Sequence, residues 1–286
     1  MRLMKMIQKK MKLRDMYEKG IRVLEDANFP EAKSDIYLLL DGLFGYSMTD
    51  VMVHGDKEVS EEQICLYEDA LSRRMQHIPV QHITGKQEFM GLSFHVNEHV
   101  LIPRQDTEIL VEEVLKNLHD GFSILDMCTG SGCIILSLLH YSNECRGTAV
   151  DISENAIEVA KQNAQALQKE VTFIQSDLFE NVTEKFDMIV SNPPYICSDV
   201  IPTLMEEVRL HEPMQALDGM KDGLFFYRKI VEESKSHLIR GGMLFFEIGY
   251  DQGVSVPELM KAAGYRDVAV VKDYAGLDRV VYGTLY

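Results

Sequence analysis

Two different patterns of apolar residues divide this chain. In the first part, apolar residues recur at the three- to four-residue spacing that is typical of amphipathic helices. Three such stretches cover residues 13–24, 32–43 and 64–75, and the last follows Ser60-Glu61-Glu62-Gln63, which has the form of a capping box. Their apolar faces are too few for a large core. We therefore predict a small all-α N-terminal domain over residues 1–82 that packs beside a second domain.

A different pattern follows the helical part. Residues 83–96 predict a β-hairpin around Met90-Gly91, within a linker over residues 83–105. Beyond it, short apolar runs alternate with helical stretches. The predicted helices cover residues 109–118, 134–139, 154–167, 226–237 and 257–263. The predicted strands cover residues 124–126, a run ending at Asp151, and residues 171–174, 186–191 and 243–248.

This alternation predicts an α/β domain over residues 106–286, with a mostly parallel sheet and helices on both of its faces. The last two strand-like runs, residues 268–271 and 280–285, leave no room for a crossover helix between them. We expect them to pair as an antiparallel hairpin.

Charge and composition limit the function. The formal net charge is −16, which repels phosphate backbones, so a nucleic-acid substrate is disfavoured. The five cysteines form no C-x-x-C pair and no secretion signal precedes them, so we expect reduced thiols in a cytoplasmic protein. No apolar run reaches membrane-spanning length, and the nine histidines lack metal-ligand spacing, so neither a membrane nor a metal is expected. The N-terminal segment is basic, and Met1, Met4, Met6 and Met11 are alternative start sites within it.

The most informative motif is Asn192-Pro193-Pro194-Tyr195, at the end of an apolar run. The two prolines remove backbone donors and fix the chain direction. The Asn192 amide and the neighbouring carbonyls are then free acceptors beside an aromatic ring, which suits a planar –NH2 group. The alternative is a strand-terminating turn, for which Asn-Pro is ordinary chemistry.

Three further features follow other predicted strands, at the edge where open α/β sheets bind ligands. They are the Gly-rich loop of residues 126–132, the carboxylate Asp151, which suits a ribose, and Ser176-Asp177-Leu178, which suits an adenine edge. Each feature also has a purely structural explanation. The loop could be a tight turn and residues 176–178 a surface turn. Asp151 could be a helix N-cap, although Ser153 could supply that cap instead. The loop lacks the G-x-G-x-x-G pattern of a dinucleotide site. Cys133 stands where a phosphate-binding P-loop has lysine, so both of these phosphate-containing ligands are disfavoured. These features favour a nucleoside without phosphates, and S-adenosylmethionine fits.

Several motifs together resemble the HemK/PrmC-type glutamine methyltransferases, which modify peptide chain release factors. The resemblance covers nearly the whole chain from Leu13. It rests on Asn192 to Tyr195 and the cofactor loop, together with residues 101–108 (Leu-Ile-Pro-Arg-Gln-Asp-Thr-Glu), 208–213 and 241–249. The Asn-Pro-Pro-Tyr motif is shared by amino-methylating enzymes that act on DNA, RNA and protein. The Pro-Arg-x-x-Thr-Glu stretch behind a helical domain is narrower and points to glutamine in a protein.

The resemblance implies a class I, Rossmann-like methyltransferase fold and S-adenosylmethionine as cofactor, with S-adenosylhomocysteine as product. It implies that the release-factor target is the glutamine of a Gly-Gly-Gln motif. Its implied cofactor residues are Cys128, Thr129, Gly130, Ser131, Gly132, Asp151, Leu178 and Asn192. Its implied substrate-binding residues are Asn192, Pro193, Pro194 and Tyr195, and we assign catalysis to Asn192, Pro193 and Tyr195.

Some positions depart from the family pattern. Cys128 replaces the first loop glycine, and we expect its small thiol to be tolerated. Gln105 and Met220 stand where proline and glycine are common, and we expect both in loops, where they change rigidity. Ile102-Pro103-Arg104 is either an edge of the active site or a fixed turn before a helix capped by Asp106 or Thr107.

Other functions stay open at this stage. One is a glutamine methyltransferase of a ribosomal protein, and another is an adenine amino-methyltransferase on nucleic acid, which the acidity disfavours. A third is a non-catalytic binding protein, which would keep the cofactor without methyl transfer. The helical domain is either a docking surface for the protein substrate or only a cover for the sheet domain.

Overall fold

The computed structural model describes residues 11–286, in two compact units that divide at Lys86 and Gln87. The basic N-terminal segment and the start sites Met1, Met4 and Met6 lie outside the described residues. The first unit is helical. Its helices are α1 (Leu13–Asp26), α2 (Ala32–Phe44), α3 (Met48–Val53), α4 (Glu61–Arg74) and α5 (Val80–Thr84).

The three long helices of the first unit confirm the periodic pattern. Ser60 accepts the backbone N–H of Gln63, whose side chain accepts the Ser60 N–H in return, so the predicted capping box is present. Leu13, Ile36 and Tyr67 are among the residues of one buried core that the helices share. The short helices α3 and α5 were not predicted. Ile83, which the sequence placed in the hairpin, lies in α5.

The second unit begins with the predicted hairpin and continues as an α/β domain. Its strands are β1 (Lys86–Phe89), β2 (Leu92–His95), β3 (Ser123–Met127), β4 (Arg146–Asp151), β5 (Val171–Gln175), β6 (Phe186–Ser191), β7 (Leu238–Glu247), β8 (Arg266–Lys272) and β9 (Asp278–Leu285). Its helices are α6 (Gln105–Asn117), α7 (Cys133–His140), α8 (Glu154–Ala166), α9 (Glu206–His211), α10 (Met214–Leu217), α11 (Phe225–His237) and α12 (Ser255–Ala262).

Strands β3 to β9 form one seven-stranded sheet in the order β5-β4-β3-β6-β7-β9-β8. Neighbouring strands from β5 to β7 are parallel, and β9 runs antiparallel to both β7 and β8. The predicted fold class is therefore confirmed, including the C-terminal antiparallel pair. The pair is not simply added at the edge, because β9 inserts between β7 and β8.

Helices cover both faces of this sheet, as predicted. Successive strand residues point to opposite faces, and Ile124 and Leu125 accordingly belong to two different buried cores. The core around Ile124 includes residues of α6 and α7, and the core around Leu125 includes residues of α11 and α12. No helix within residues 11–286 is long and apolar enough to cross a membrane.

Two local predictions need correction. Helix α6 begins at Gln105, four residues before the predicted start, so Gln105 is helical and not in a loop. Neither Asp106 nor Thr107 caps it: Arg104 is the N-cap residue and makes no side-chain cap bond. The first turn of α6 is polar, and apolar periodicity therefore marked only its later turns. Gln105 occupies the first helical position, where proline is favoured, so this departure from the family pattern concerns the start of α6 and not a loop.

Candidate active site

The features predicted to bind ligands meet at one edge of the sheet. Strands β4, β3 and β6 are parallel neighbours, with Met127 paired to Val150 on one side and to Ser191 on the other. The order of the strands reverses between β3 and β6, which is where doubly wound sheets open a crevice. The Ser191 hydroxyl donates to the Met127 carbonyl at 2.6 Å and ties the two strand ends together.

A pocket of about 610 Å³ opens at this edge. Most of the predicted cofactor residues line it: Cys128, Thr129, Gly130, Ser131, Asp151, Leu178 and Asn192. Gly132 is buried behind the loop and does not line it. Of the other motif residues, Pro194 lines the pocket, whereas Pro193 and Tyr195 do not. The sequence therefore predicted two clusters that the fold brings to one cavity.

The loop after β3 is shaped by residues with positive φ. Gly130 has φ +54°, and a Cβ built there would meet nothing within 4 Å, so a ligand can approach its backbone. Gly132 has φ +79°, and a Cβ there would lie 3.2 Å from the Cβ of Ala160. Cys128 has φ +63°, a conformation that glycine adopts without strain and cysteine does not. Cysteine in place of the first loop glycine therefore strains the backbone at position 128 and also narrows the space near the ligand.

A buried carboxyl group supports this loop from below. Asp126 is fully buried and accepts the Thr129 hydroxyl at 2.6 Å and the Ile135 N–H at 3.4 Å. Burial raises the pKa of Asp126 to about 7, and the hydrogen bond from Thr129 opposes that rise. Asp126 thus acts on the loop through Thr129 and does not line the pocket.

Asp151 lies at the end of β4 and faces the pocket. One of its carboxylate oxygens accepts the Gly130 N–H at 2.9 Å, and the other accepts the Ser153 N–H at 2.9 Å. Burial raises its pKa, while these backbone bonds oppose the rise. Each oxygen keeps a further lone pair for a ligand hydroxyl. The cap of α8 is supplied by Ser153, which accepts the Ala156 N–H, so Asp151 is not that cap.

The turn after β5 completes this side of the pocket. The Ser176 N–H donates to the Asp151 carbonyl at 3.0 Å, which holds the turn beside the end of β4. Leu178 is buried with φ +49°, and both Asp177 and Leu178 line the pocket. A side-chain acceptor and backbone groups are therefore available where an adenine edge was predicted to bind.

The Asn-Pro-Pro-Tyr motif follows β6 on the other side. The half-buried Asn192 amide donates to the Thr107 hydroxyl at 3.4 Å, from Nδ2 to Oγ1. The Tyr195 hydroxyl turns away from the cavity and donates to Glu247 at 3.3 Å. The Tyr195 carbonyl accepts from the Gln252 side chain at 3.2 Å, which fixes the backbone after the prolines.

Arg104 also lies at the pocket. It lines the cavity and forms an ion pair with the buried carboxylate of Glu212, whose pKa is raised by burial and lowered by Arg104. The segment after Glu212 lines the pocket too, through Pro213, Met214 and Ala216. The pair therefore joins two segments that border the cavity, and Arg104 is more than part of a turn.

Sequence reasoning missed several residues behind the site. Glu247 is buried at the end of β7, and burial raises its pKa to about 7. Thr107 belongs to the family motif of residues 101–108, but the only role assigned to it was that of a cap, although it contacts Asn192. Met220, expected to affect only rigidity, lines the pocket and has φ +69°, a conformation for which glycine is suited. No group of three or more potential ligand side chains within residues 11–286 is arranged to hold a metal ion.

The parallel sheet, the glycine loop and the pocket at the strand ends define a methyltransferase fold, and comparison with known proteins agrees. The Methyltransferase small domain family matches residues 104–208, and the PrmC N-terminal domain family matches residues 15–85. A methyltransferase structure from Pyrococcus furiosus superposes with a TM-score of 0.53 at 21% identity, covering 74% of this chain and 98% of that one.

Two relatives are similar over nearly their whole length. The release factor glutamine methyltransferase of Clostridium acetobutylicum is 41% identical over 278 residues, which is 95% of this chain and 98% of that protein. The one of Clostridium botulinum is 40% identical over 281 residues, covering 96% and 99%. The chain belongs to the release factor glutamine methyltransferase family.

Proposed function

We propose that this chain transfers a methyl group from S-adenosylmethionine to the side-chain amide nitrogen of the glutamine in the Gly-Gly-Gln motif of release factors. The observation that carries the proposal is the position of Asn192. This amide lines the same pocket as the cofactor loop and Asp151. Family membership supports release factors as the substrate, since the relatives carry that name.

The residues of the pocket fit S-adenosylmethionine. Gly130 leaves open space where any side chain would project, and Asp151 keeps lone pairs for a ribose. The Ser131 hydroxyl is buried and has no hydrogen-bond partner among the described residues, so a polar ligand would satisfy it. Cys128, Thr129 and Gly132 would shape the loop, and Leu178 would contact the adenine. When bound, this cofactor supplies an electrophilic methyl group and is left as S-adenosylhomocysteine.

The motif residues act on the glutamine amide. An amide nitrogen is a poor nucleophile because its lone pair is delocalised into the carbonyl. The Asn192 side-chain oxygen and the Pro193 carbonyl accept its two N–H groups and so orient the nitrogen. They also stabilise positive charge that develops on nitrogen during transfer. Pro194 and Tyr195 hold these acceptors rigid, and Tyr195 is itself fixed by its bonds to Glu247 and Gln252.

No general base is required before transfer, since the nitrogen can lose its proton afterwards. The rate gain comes from positioning and from preorganised acceptors. In this proposal the helical unit docks the protein substrate, consistent with the match of residues 15–85 to a family N-terminal domain. We expect a protein substrate and neither a nucleic-acid substrate nor a membrane partner, and, because release factors act in translation, the proposed site of action is the cytoplasm.

Labelled S-adenosylmethionine tests the proposal directly. The purified protein is incubated with a bacterial release factor, either wild type or with its Gly-Gly-Gln glutamine changed to alanine. We expect label in the wild-type factor only. Label in neither factor, from protein that calorimetry shows to bind the cofactor, would overturn the substrate assignment. Ribosomal proteins and nucleic acid tested alongside would then identify the alternative substrate.

A further inference from the structure

Met220 adopts a backbone conformation that disfavours any side chain. Its φ is +69°, in the left-handed region that glycine enters without strain and methionine does not. Hydrogen bonds hold it there: the Met220 N–H donates to the Asp218 carboxylate at 2.8 Å, and the Met220 carbonyl accepts the Ser198 N–H at 3.1 Å. A side chain kept at such a position is a candidate for a role in function.

Burial of the Met220 side chain does not offset this strain. The residue is 44% exposed and belongs to no buried core of residues 11–286. It does line the pocket. A side chain that lines a cavity and is nearly half exposed lies at the mouth of that cavity, where it meets a ligand that enters. The role of Met220 therefore concerns a ligand and not the stability of the fold.

Met220 lies on the side of the pocket that holds the Asn-Pro-Pro-Tyr motif. Gly219, the residue before it, is so close to the motif that a Cβ built there would be 2.7 Å from the Tyr195 Cα. The Gly219 N–H also donates to the Ile196 carbonyl at 2.8 Å. The loops proposed to hold the cofactor follow β3, β4 and β5, whereas the motif follows β6. Met220 is therefore on the side proposed for the glutamine and not on the side proposed for the adenine.

A second methionine lies at the same part of the mouth. Met214, the first residue of α10, lines the pocket and is 51% exposed. Asp218 joins the two, because its N–H donates to the Met214 carbonyl at 3.0 Å while its carboxylate accepts the Met220 N–H. Methionine is unbranched and polarisable, so it packs against surfaces of irregular shape. The two side chains give this side of the mouth an apolar and adaptable surface.

We infer that Met220, together with Met214, contacts the substrate segment that flanks the target glutamine. The inference rests on the proposed function. A glutamine side chain is short, so an amide that reaches Asn192 brings its own backbone and its neighbours to the mouth. In a Gly-Gly-Gln segment those neighbours include glycines, which expose uncharged backbone and let apolar side chains approach closely. Burying the exposed methionine surface against this segment then favours binding.

Three substitutions at Met220 separate contact from backbone effects. Met220→Gly removes the side chain and the strain, Met220→Ala removes only the atoms beyond Cβ, and Met220→Leu keeps a large apolar side chain. At saturating S-adenosylmethionine, we expect the first two to raise KM for the release factor by about 5- to 30-fold, the effect of truncating one interface anchor. KM of Met220→Leu should stay within about threefold of wild type. In all three, kcat should change by less than about twofold, the pattern of lost uniform binding.

Stability gives a readout that distinguishes contact from a merely structural role. Because glycine relieves the strain at φ +69°, Met220→Gly should have a higher Tm than Met220→Ala, although both bind the release factor weakly. The Kd for S-adenosylmethionine, measured by calorimetry, should change by less than about twofold in both. Met90→Gly is the matched control. Met90 also has positive φ, at +51°, and does not line the pocket, so its replacement should leave KM unchanged.

Wild-type KM in both Met220→Gly and Met220→Ala would overturn the inference. The same holds for a Met220→Leu variant that binds the release factor as weakly as Met220→Ala. An increase in the Kd for S-adenosylmethionine that matches the increase in KM would assign Met220 to the cofactor side and overturn it as well. A wild-type enzyme that transfers no methyl group to the release factor would instead overturn the proposed function, and the inference with it.

Discussion

The Asp151 carboxylate accepts the backbone N–H of Gly130 at 2.9 Å, which joins the end of β4 to the loop after β3. One carboxylate thus organises the loop and faces the pocket that is proposed to hold the cofactor. The same group also accepts the Ser153 N–H through its other oxygen. Removing the charge should therefore weaken ligand binding more than it disturbs the strand.

Asp151→Asn tests this relationship. An asparagine amide keeps one acceptor oxygen, so one of the two backbone bonds and the negative charge are lost. Bonds to charged groups contribute about 1.5–3 kcal/mol, so we expect the Kd for S-adenosylmethionine to rise by about 10- to 100-fold by calorimetry. Asp251→Asn, at an exposed position that does not line the pocket, is the control and should leave the Kd unchanged. An unchanged Kd in Asp151→Asn would contradict the assignment.

Asn192→Ala should separate catalysis from stability. The substitution removes an acceptor proposed to orient the glutamine, and removing one preorganised hydrogen-bonding group from such a site costs about 100-fold or more in turnover. The contact with Thr107 is long, so the Tm should move little. Asn117→Ala, at the end of α6 and away from the pocket, serves as control. Turnover of Asn192→Ala close to that of the control would refute its assigned role.

Cys128 is expected to carry backbone strain. With φ +63°, a side chain costs about 1–2 kcal/mol relative to glycine, and the greater freedom of glycine in the unfolded chain offsets about 0.4–1 kcal/mol. Cys128→Gly should therefore unfold with a free energy about 1 kcal/mol above that of Cys128→Ala in urea titrations. Cys145 is not among the residues with positive φ, so there the alanine variant should have a higher free energy of unfolding than the glycine variant. Equal stabilities for the two Cys128 variants would exclude strain there.

Glu247 should make stability depend on pH. Burial raises its folded-state pKa to about 7, and Arg279 and the bonds from Thr107 and Tyr195 oppose that rise. A raised carboxyl pKa stabilises the fold below the unfolded value, near 4.5, and this contribution is lost as pH rises through about 7. The wild type should therefore lose stability relative to Glu247→Gln between these pH values, at up to about 1.4 kcal/mol per pH unit.

Urea titrations of both proteins at several pH values measure that difference. Asp126 also has a pKa of about 7, but it is present in both proteins and its contribution cancels. A constant difference between wild type and Glu247→Gln across the range would mean that Glu247 does not titrate there.

Much of the fold was predictable because its signals are local. The strands leading to Asp126, Asp151 and Ser191 were predicted from short apolar runs, and β3, β4 and β6 lie at those positions, with β3 continuing one residue further, to Met127. Their parallel pairing then brings the following loops to one edge without further information. Family motifs added the chemistry of the Asn-Pro-Pro-Tyr segment.

The missed elements depend on contacts between distant residues. Helices α9 and α10 are short and show no apolar period. The chain beyond them is held by Ile196, which donates to the Leu217 carbonyl and accepts the Gly219 N–H. Burial of Glu247 and its proximity to Thr107 likewise arise only when β7 and α6 pack in the folded domain. A single sequence carries no local signal for such pairs.

The most direct test of the central claim is mass spectrometry of the release factor after reaction with this protein and S-adenosylmethionine. The peptide that contains Gly-Gly-Gln is isolated and fragmented. We predict that it gains the mass of one methyl group, that fragmentation assigns the methyl group to the glutamine side chain, and that Asn192→Ala abolishes most of the gain. A methyl group on another residue, or an unmodified peptide after incubation with enzyme shown to bind the cofactor, would contradict the account.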